Sequence, residues 1–322
     1  MTRADDRCLI AVDVGGTTVK AALLDAGSGA CLHELTVPTG VGTAGGAMGS
    51  LVAVTRRLRA TASDGGRTVL AAGVVTPGTV DEHAGVVSYA ANLGWRDVPL
   101  ARTLRDALGV PVATGHDSRA AGRAEYLLGG RSADFVLVPI GTGIAVALVR
   151  DGLPLAGVSG AAGEFGHMPV HPDGEDCPCG LRGCLEVYCS ASGILRRYRA
   201  RGGLLGGVPD VVGALGRDPV ARAVWGEAVD ALALGLASVS MLLDPGEIVL
   251  AGGVAAAGTA LVDPLQRALA ARLGWHRRPQ VRRGVLGPHA ARTGAAVLAV
   301  ERCDVAVDPA RWVSGVAGPG PE

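Results

Sequence analysis

The chain has 322 residues, a length that predicts about two domains and a substantial hydrophobic core. Apolar residues make up 48% of the sequence and aromatic residues 3%, and there are 50 glycines. This mixture is typical of an α/β protein with many tight turns between strands and helices. Thirty cationic side chains balance thirty acidic ones, which argues against nucleic acid or an anionic membrane as a partner.

No targeting or membrane segment is predicted. The N-terminal stretch MTRADDRCLIAVDVGG has acids before an apolar run that is too short for a signal-peptide core. The most apolar helical segment has only 13 residues between Asp230 and Asp244, fewer than the roughly 20 that span a bilayer. We therefore expect a cytoplasmic protein, in which seven cysteines do not indicate disulfides.

The first half begins with a strand, a glycine turn and a second strand, written CLIAVDVGGTTVKAALLD, with an aspartate just before the turn. Residues 46–62 have the apolar spacing of a helix, and residues 68–75 form a buried strand. The segment LARTLRDALG predicts an amphipathic helix ended by Gly109. The strand VPVATGHD then ends in an acid.

The second half begins with the helix SRAAGRAEYLLGG, for which Ser118 is the expected N-cap. The segment DFVLVPIGTGIAVALVRDG repeats the strand, Gly/Thr turn and strand of the N-terminus. Residues 190–242 are predicted to be mostly helical. A strand then ends in Gly252 and Gly253, and helices follow at 258–273 and in AARTGAAVLAVERC.

Three glycine motifs have the chemistry of a phosphate site. DVGGTT, from Asp13 to Thr18, offers backbone N–H groups, hydroxyls and a carboxylate that can hold Mg²⁺ through water. GTGIA and AGGV offer similar turns later in the chain, and the alternative for any one motif is a plain hairpin. Together they indicate a site for a phosphate-bearing ligand at Asp13, Gly15, Gly16, Thr17, Thr18, Thr142, Gly143, Gly252 and Gly253.

A cysteine cluster in CPCGLRGCLE predicts a structural zinc site. Cys177, Cys179 and Cys184 supply three thiolates, and either His167 or His171 is close enough in sequence to be the fourth ligand. Ordinary buried cysteines are the alternative, and a catalytic cysteine is less favoured because three lie together. Glu164 and Glu186 flank the cluster, where their carboxylates can accept hydrogen bonds from the hydroxyls of a polyol.

These motifs resemble the ROK family of bacterial sugar kinases and repressors, and most closely its actinobacterial glucokinases. The pattern C-x-C-G-x-x-G-C-x-E after G-E-x-G-H, with DVGGTT, GTGI and AGGV in order, covers the chain from Cys8 to Cys303. The resemblance implies an actin-like ATPase (ribonuclease H-like) fold of two α/β domains around a cleft. We expect domains at 1–115, completed by a helix at 290–305, and at 116–289 with the zinc loop, before a flexible tail at 308–322.

The resemblance also implies an activity, an ATP-dependent transfer of phosphate to the 6-hydroxyl of a hexose. Asp117 would be the general base, and Asp13 would hold Mg²⁺ indirectly. His167 would be the zinc histidine, and its other ring nitrogen would touch the sugar together with Asn92, His116, Asp117, Glu164 and Glu186. Sugar and ATP are the expected partners of a homodimer or homotetramer.

The chain departs from the family pattern at three positions. The family's E-N-D-A-N-A is GHDSRA here, so His116 and Arg119 replace asparagines, and Ala145 replaces the last glycine of G-T-G-I-G. One interpretation is neutral change in a glucokinase. The other is specialisation for a modified sugar of an antibiotic pathway. That sugar would be the amino sugar kanosamine, whose protonated 3-amino group could donate a hydrogen bond to a neutral His116, or a C7 cyclitol. An N-acetyl-hexosamine is a further alternative substrate.

Three other functions compete with a hexose kinase that uses ATP. A ROK repressor carries a helix-turn-helix domain before the kinase-like part, and we expect none because Asp13 already belongs to the first phosphate motif. A non-catalytic sugar sensor is disfavoured by the retained Asp117, although Ala145 keeps that function open. A kinase that uses polyphosphate in place of ATP remains an alternative.

Overall fold

The computed structural model describes residues 6–43 and 45–312. The chain forms two units, and each contains both strands and helices. Within the described residues, the first unit contains the chain up to residue 131, residues 152–162 and the chain from residue 289 onwards. The second unit contains residues 132–151 and 163–288.

Strands and helices alternate along much of the chain. The strands are β1 Arg7–Val14, β2 Thr18–Asp25, β3 Cys31–Pro38, β4 Thr68–Thr76, β5 Thr79–Asp81, β6 Val86–Ala90, β7 Trp95–Val98, β8 Val112–His116, β9 Phe135–Pro139, β10 Ala147–Arg150, β11 Leu153–Pro154, β12 Glu247–Ala251 and β13 Gln280–Arg283. The helices are α1 Gly46–Asp64, α2 Leu100–Leu108, α3 Asp117–Leu128, α4 Leu185–Cys189, α5 Ala191–Ala200, α6 Val208–Gly213, α7 Pro219–Leu243, α8 Gly252–Ala255, α9 Thr259–Leu273 and α10 Ala290–Arg302.

The first unit is built on a five-stranded sheet in the order β3-β2-β1-β4-β8. The β1–β2 and β2–β3 pairs are antiparallel, whereas β1, β4 and β8 run parallel.

Two glycines bring α10 into direct contact with its neighbours. A Cβ on Gly73 of β4 would lie 1.7 Å from the carbonyl oxygen of Ala295, and a Cβ on Gly294 would lie 2.2 Å from the backbone of Ala120 in α3. The packing of α3 on α10 places α3 in the first unit, so the division differs from the boundary expected at residue 116.

Within the second unit, four strands follow the order β10-β9-β12-β13. β9 and β10 are antiparallel, and β12 is parallel to both β9 and β13. The carboxyl ends of β9 and β12 therefore lie side by side, with Pro139 opposite Ala251. Each of these two strands leads directly into one of the glycine motifs.

Helix α7 lies in the core of the second unit. It begins at Pro219, after the N-cap Asp218, and is therefore longer than the 13 residues expected between Asp230 and Asp244. Among the described residues, it is the one helix long and apolar enough to cross a membrane, and 50% of its most apolar window is buried. Core helices of water-soluble proteins meet the same criteria, so one helix of this kind is weak evidence for a membrane span.

Most of the predicted elements are present, including the N-terminal hairpin and the helix that ends at Gly109. The expectation for the start of α3 was wrong. His116, and not Ser118, is the N-cap, because its side chain accepts a hydrogen bond from the backbone of Ser118.

The chain from Asp308 to Trp312 also differs from the expected flexible tail. Pro309–Arg311 form a short 3-10 helix, and Trp312 is buried and donates its indole N–H to the carbonyl oxygen of Ala26 over 3.1 Å. The rest of the predicted tail, from residue 313, lies outside the described residues.

Candidate functional site

Four side chains of the second unit form a cluster that can hold a metal ion. One potential ligand atom from each of His167, Cys177, Cys179 and Cys184 lies within 4.8 Å of the others. The Sγ atoms of Cys179 and Cys184 are 3.7 Å apart, and Cys177 Sγ is 3.7 Å from His167 Nδ1. Tetrahedral zinc with bonds of about 2.3 Å to sulfur would separate two sulfurs by about 3.8 Å. The cluster therefore has the dimensions of a zinc site.

The backbone around the cluster is held by two short bridges, which pair Pro169 with Cys184 and Asp176 with Arg182. Burial, followed by the neighbouring thiols, raises the pKa of Cys184 to about 12. A bound cation removes this obstacle to ionisation, because metal-bound thiols are deprotonated. His171, the other histidine considered, makes an edge-to-face contact with the ring of Tyr188 at 4.7 Å and is outside the cluster.

His167 presents its two ring nitrogens to different neighbours. Nδ1 lies toward Cys177, whereas Nε2 is 4.0 Å from a carboxylate oxygen of Glu164. One ring can therefore serve a metal at Nδ1 and leave Nε2 beside Glu164. A carboxylate beside the second ring nitrogen is typical of a histidine that holds a metal.

Glu186, in the first turn of α4, joins the cysteine cluster to the glycine turn after β9. Its Oε2 accepts the backbone N–H of Ile144 over 2.9 Å. A Cβ on Gly143 would lie only 2.6 Å from the same oxygen, so a side chain there would displace the carboxylate of Glu186. The AGGV turn after β12 lies nearby, because the backbone N–H of Val254 donates to the carbonyl oxygen of Ile140 over 3.0 Å. Thr142, Gly143, Gly252 and Gly253 thus belong to adjacent turns of one unit.

The DVGGTT turn forms the corresponding group in the first unit. Gly15 donates its N–H to the carbonyl oxygen of Thr18 over 2.9 Å and accepts the hydroxyl of Thr39 over 2.6 Å. The backbone N–H of Thr39 in turn donates to the carbonyl oxygen of Thr17. A Cβ on Gly16 would lie 3.3 Å from Cβ of Asn92, so this turn and the predicted sugar ligand Asn92 are in contact.

Asp13 has the electrostatic character of a cation ligand. Burial, followed by the negative charge of Asp117, raises its pKa from 3.8 to about 7, against the lowering effect of Lys20 and Arg292. Lys20 lies directly opposite Asp13 in the β1–β2 pair. A buried carboxylate with a second carboxylate near it is stabilised in its ionised form by a divalent cation.

Asp117 and its neighbour His116 stand where β8 meets α3. Oδ1 of Asp117 accepts the backbone N–H of Ser118 and its hydroxyl, the latter over 2.9 Å. His116 is buried, and its Nδ1 accepts the same N–H over 3.2 Å while lying 3.2 Å from Oδ1 of Asp117. Nδ1 thus lies between a donor, the N–H of Ser118, and an acceptor, Oδ1 of Asp117, and Nε2 is the ring nitrogen that neither of them occupies. The expectation that His116 accepts a hydrogen bond from a protonated amine therefore concerns Nε2, and it stays a prediction.

Arg119, which replaces a family asparagine, has a role that sequence reasoning missed. It is buried, its Nε donates to Glu82 over 2.9 Å, and its Nη1 donates to the carbonyl oxygen of Gly160 over 2.9 Å. The other oxygen of Glu82 is 3.1 Å from Arg302. Arg119 therefore holds the 152–162 segment to α3, and its guanidinium forms an ion pair with Glu82. Ala145 contributes a longer backbone contact, 3.4 Å to Pro139.

The predicted site residues thus form two groups, one in each unit. Asp13, Asn92, His116 and Asp117, with the DVGGTT turn, belong to the first unit. Glu164, Glu186, the metal cluster and the two later glycine turns belong to the second.

Comparison with known proteins gives these groups a family context. A glucokinase of Halalkalibacterium halodurans is 31% identical over 283 residues, which cover 81% of this chain and 85% of that protein. A shorter match is an N-acetylmannosamine kinase of Citrobacter koseri, 34% identical over 186 residues, or 56% of this chain and 63% of that protein.

A solved structure, that of a ROK family glucokinase from Streptomyces griseus in complex with glucose and AMPPNP, is 31% identical with a TM-score of 0.79. The match covers 91% of this chain and 99% of that one, and the fold is that of the actin-like ATPases. The ROK family model matches residues 9–302, and the chain belongs to the ROK family.

Proposed function

We propose that the protein is a sugar kinase that transfers the γ-phosphate of ATP to the 6-hydroxyl of a glucose-like hexose. The observation that carries the proposal is the hydrogen bonding of the Asp117 carboxylate. Both hydrogen bonds that it accepts go to Oδ1, and no described residue donates to Oδ2. Asp117 is therefore oriented by Ser118 while Oδ2 remains available to take a proton. The similarity to glucokinases supports the same reaction.

In the proposed mechanism Oδ2 of Asp117 accepts the proton of the 6-hydroxyl as that oxygen attacks the γ-phosphate in line. Phosphoryl transfer depends mainly on positioning and on charge stabilisation. The backbone N–H groups of the glycine turns bind the phosphates. Mg²⁺, when bound, neutralises phosphate charge, and Asp13 is the carboxylate that would hold it through water.

The cysteine cluster has a structural role in this proposal. Closed sites with three cysteines and one histidine hold zinc without an open position for substrate. Zinc at His167, Cys177, Cys179 and Cys184 would order the loop that leads into α4 and thereby orient Glu186. Glu164, Glu186, His167 and Asn92 are the residues we propose for binding sugar hydroxyls.

The hydrogen bonding of His116 narrows the choice of sugar. We infer that Nδ1 accepts from Ser118, which would place the ring proton on Nε2 as a donor. A sugar hydroxyl can accept from this group, whereas a protonated amine would place two donors together. We therefore favour a hydroxylated hexose over kanosamine. An N-acetyl-hexosamine is the second candidate because of the N-acetylmannosamine kinase relative, and a C7 cyclitol is the third.

A coupled ADP-release assay tests the proposal. The sugar panel is glucose, mannose, N-acetylmannosamine, N-acetylglucosamine, kanosamine and a C7 cyclitol, and phosphorus NMR then identifies the phosphorylated position. We expect turnover of glucose with ATP at the 6-position and none in Asp117→Asn. Sugar binding without turnover of any panel member would favour the non-catalytic sensor. Turnover with polyphosphate but not with ATP would show that polyphosphate is the phosphate donor.

The remaining expectations concern the state of the protein in the cell. The glucokinase relatives support a cytoplasmic location for this chain. Association into a homodimer or homotetramer stays a prediction, which light scattering of the purified protein at working concentration would test.

A further inference from the structure

The glycine turn after β9 is held from one side by the segment that follows the metal cluster. Ile144 donates its N–H to Glu186 over 2.9 Å, and Ala191 donates its N–H to the carbonyl oxygen of Gly141 over 2.8 Å. Ser192 donates its hydroxyl to the carbonyl oxygen of Thr142 over 2.6 Å. Three hydrogen bonds thus join α4 and the start of α5 to three residues of the turn, Gly141, Thr142 and Ile144.

These contacts determine where the turn directs its free N–H groups. In a trans peptide the C=O and the following N–H point in opposite directions. Because the carbonyls of Gly141 and Thr142 point at α5, the N–H groups of Thr142 and Gly143 point away from it. Among the described residues neither N–H has a hydrogen-bond acceptor. Two successive free N–H groups on one side of a turn are suited to bind an anion.

The same segment is attached to the metal cluster. Cys184 is the N-cap of α4, Glu186 lies two residues later, and Ser190 caps α5 by accepting the N–H of Gly193 over 3.0 Å. The hydroxyl of Ser190 is also 3.0 Å from that of Ser192. A continuous chain of short-range contacts therefore leads from a metal ligand to the carbonyl of Thr142.

We propose that Ser192 is a positioning residue for the triphosphate of the nucleotide and that the metal cluster acts on this turn through α4 and Ser192. Because the inference rests on the proposed kinase function, it concerns the donor half of that site. With the hydroxyl of Ser192 in place, the Thr142–Gly143 peptide is held in the orientation that exposes its N–H. Without the hydroxyl, that peptide rotates more freely and the N–H groups lose alignment with the phosphates.

Calorimetry with AMPPNP and glucose as separate ligands tests the proposal. Ser192→Ala removes one hydrogen bond, so we expect the Kd for AMPPNP to rise about three- to tenfold. The Kd for glucose should stay within about twofold, and the KM for ATP should rise more than kcat falls. Ser192→Thr retains the hydroxyl and should restore AMPPNP binding.

A matched control is Ser238→Ala, because Ser238 is also exposed and its hydroxyl also donates to a backbone carbonyl, that of Leu234 in α7. It should leave both dissociation constants unchanged. An unaltered AMPPNP affinity in Ser192→Ala, or an equal loss for AMPPNP and glucose, would overturn the role of Ser192. No AMPPNP binding by the unmutated protein would instead overturn the proposed kinase function, and this inference with it.

The link to the metal is tested by removing it with a chelator from both the unmutated protein and Ser192→Ala. If the cluster acts through Ser192, metal removal weakens AMPPNP binding in the unmutated protein and adds little in the variant, so the two effects are not additive. Fully additive losses would show that the metal and Ser192 act independently and would overturn that part of the proposal.

Discussion

The backbone N–H of Ser118 donates to Nδ1 of His116 over 3.2 Å, at the first turn of α3. This bond makes the buried imidazole an N-cap, and in the tautomer that we propose the ring proton is on Nε2. His116 therefore differs from the family's asparagine in a defined way. An asparagine offers both a donor and an acceptor, whereas this ring offers only a donor.

His116→Asn should therefore relax the choice of sugar. In the unmutated protein kcat/KM for glucose should exceed that for kanosamine by at least about tenfold, because a buried donor facing an ammonium costs about 1–3 kcal/mol. The asparagine carbonyl can accept from the ammonium, so the ratio should fall in the variant. Both ratios are measured at a pH at which the 3-amino group is protonated.

Ser118→Ala is the control for this prediction. It removes a hydroxyl that contacts Asp117 and keeps the backbone N–H that orients His116. Its glucose-to-kanosamine ratio should match that of the unmutated protein even if turnover falls for both sugars. A preference for kanosamine in the unmutated protein would contradict the tautomer argument.

The residues that carry a motif were predictable from the sequence. Cys177, Cys179 and Cys184 share a spacing that only a few metal sites use, and the structure brings them together with His167. Strand and helix periodicity also predicted the N-terminal hairpin and the helix that ends at Gly109. In each case the signal was local, because the side chains or the apolar pattern lie within a few residues of one another.

The contacts that orient those residues were not predictable. Ser192 meets Thr142 from 50 positions away, and Arg119 meets Glu82 from 37 positions away. Serine and arginine are common in any surface segment, so neither carries a spacing signal. The hydrogen bonding of His116 depends on whether α3 begins at residue 117 or 118. Helix ends are the least certain feature of a sequence-based prediction.

The metal cluster leads to a second prediction. Protein purified without chelator should contain one zinc per chain by elemental analysis, and Cys184→Ser should lose it. Cys184 is fully buried and is the N-cap of α4, so loss of the metal should also release Glu186 and weaken glucose binding.

Cys189→Ala is the matched control for the zinc prediction, because Cys189 is a buried thiol of the same short helix and lies outside the cluster. This variant should keep its zinc even if it loses some stability. Zinc-free protein from a zinc-replete preparation would rule out the structural zinc site.

The third prediction concerns Asp117. Asp117→Asn should bind glucose and AMPPNP with near-normal affinity and lose turnover by about 10²-fold or more, because the isosteric amide cannot take the proton. Calorimetry measures the two affinities and the ADP-release assay measures turnover. Near-normal turnover in this variant would remove Asp117 from the role of general base.

The fourth prediction follows from the charge of Asp13. Its folded-state pKa is raised from 3.8 to about 7, chiefly by burial and then by Asp117. The Asp13 carboxyl thus binds its proton more tightly in the folded state than in the unfolded chain. Below about pH 4 the carboxyl is protonated in both states, so its burial does not lower the free energy of unfolding. Stability is lost as the pH rises from about 4 through 7. Asp13→Asn removes that cost and should melt higher than the unmutated protein at pH 8, by about 5 °C, with the difference vanishing near pH 4.

The same melting experiment, repeated with magnesium and nucleotide, tests whether Asp13 lies near a bound cation. Together they should raise the melting temperature of the unmutated protein at pH 8 and narrow its gap to Asp13→Asn, because a cation near Asp13 stabilises the ionised carboxylate. The variant should gain less from magnesium and should turn over sugar poorly. Asp25→Asn is the control, since Asp25 lies at the far end of β2, where it is partly buried, pairs with Arg67 and accepts hydrogen bonds from Ser28, so its loss should not raise the melting temperature or change the effect of magnesium. An Asp13→Asn protein that melts lower than the unmutated one at pH 8 would show that Asp13 contributes a native contact that outweighs the burial of its charge.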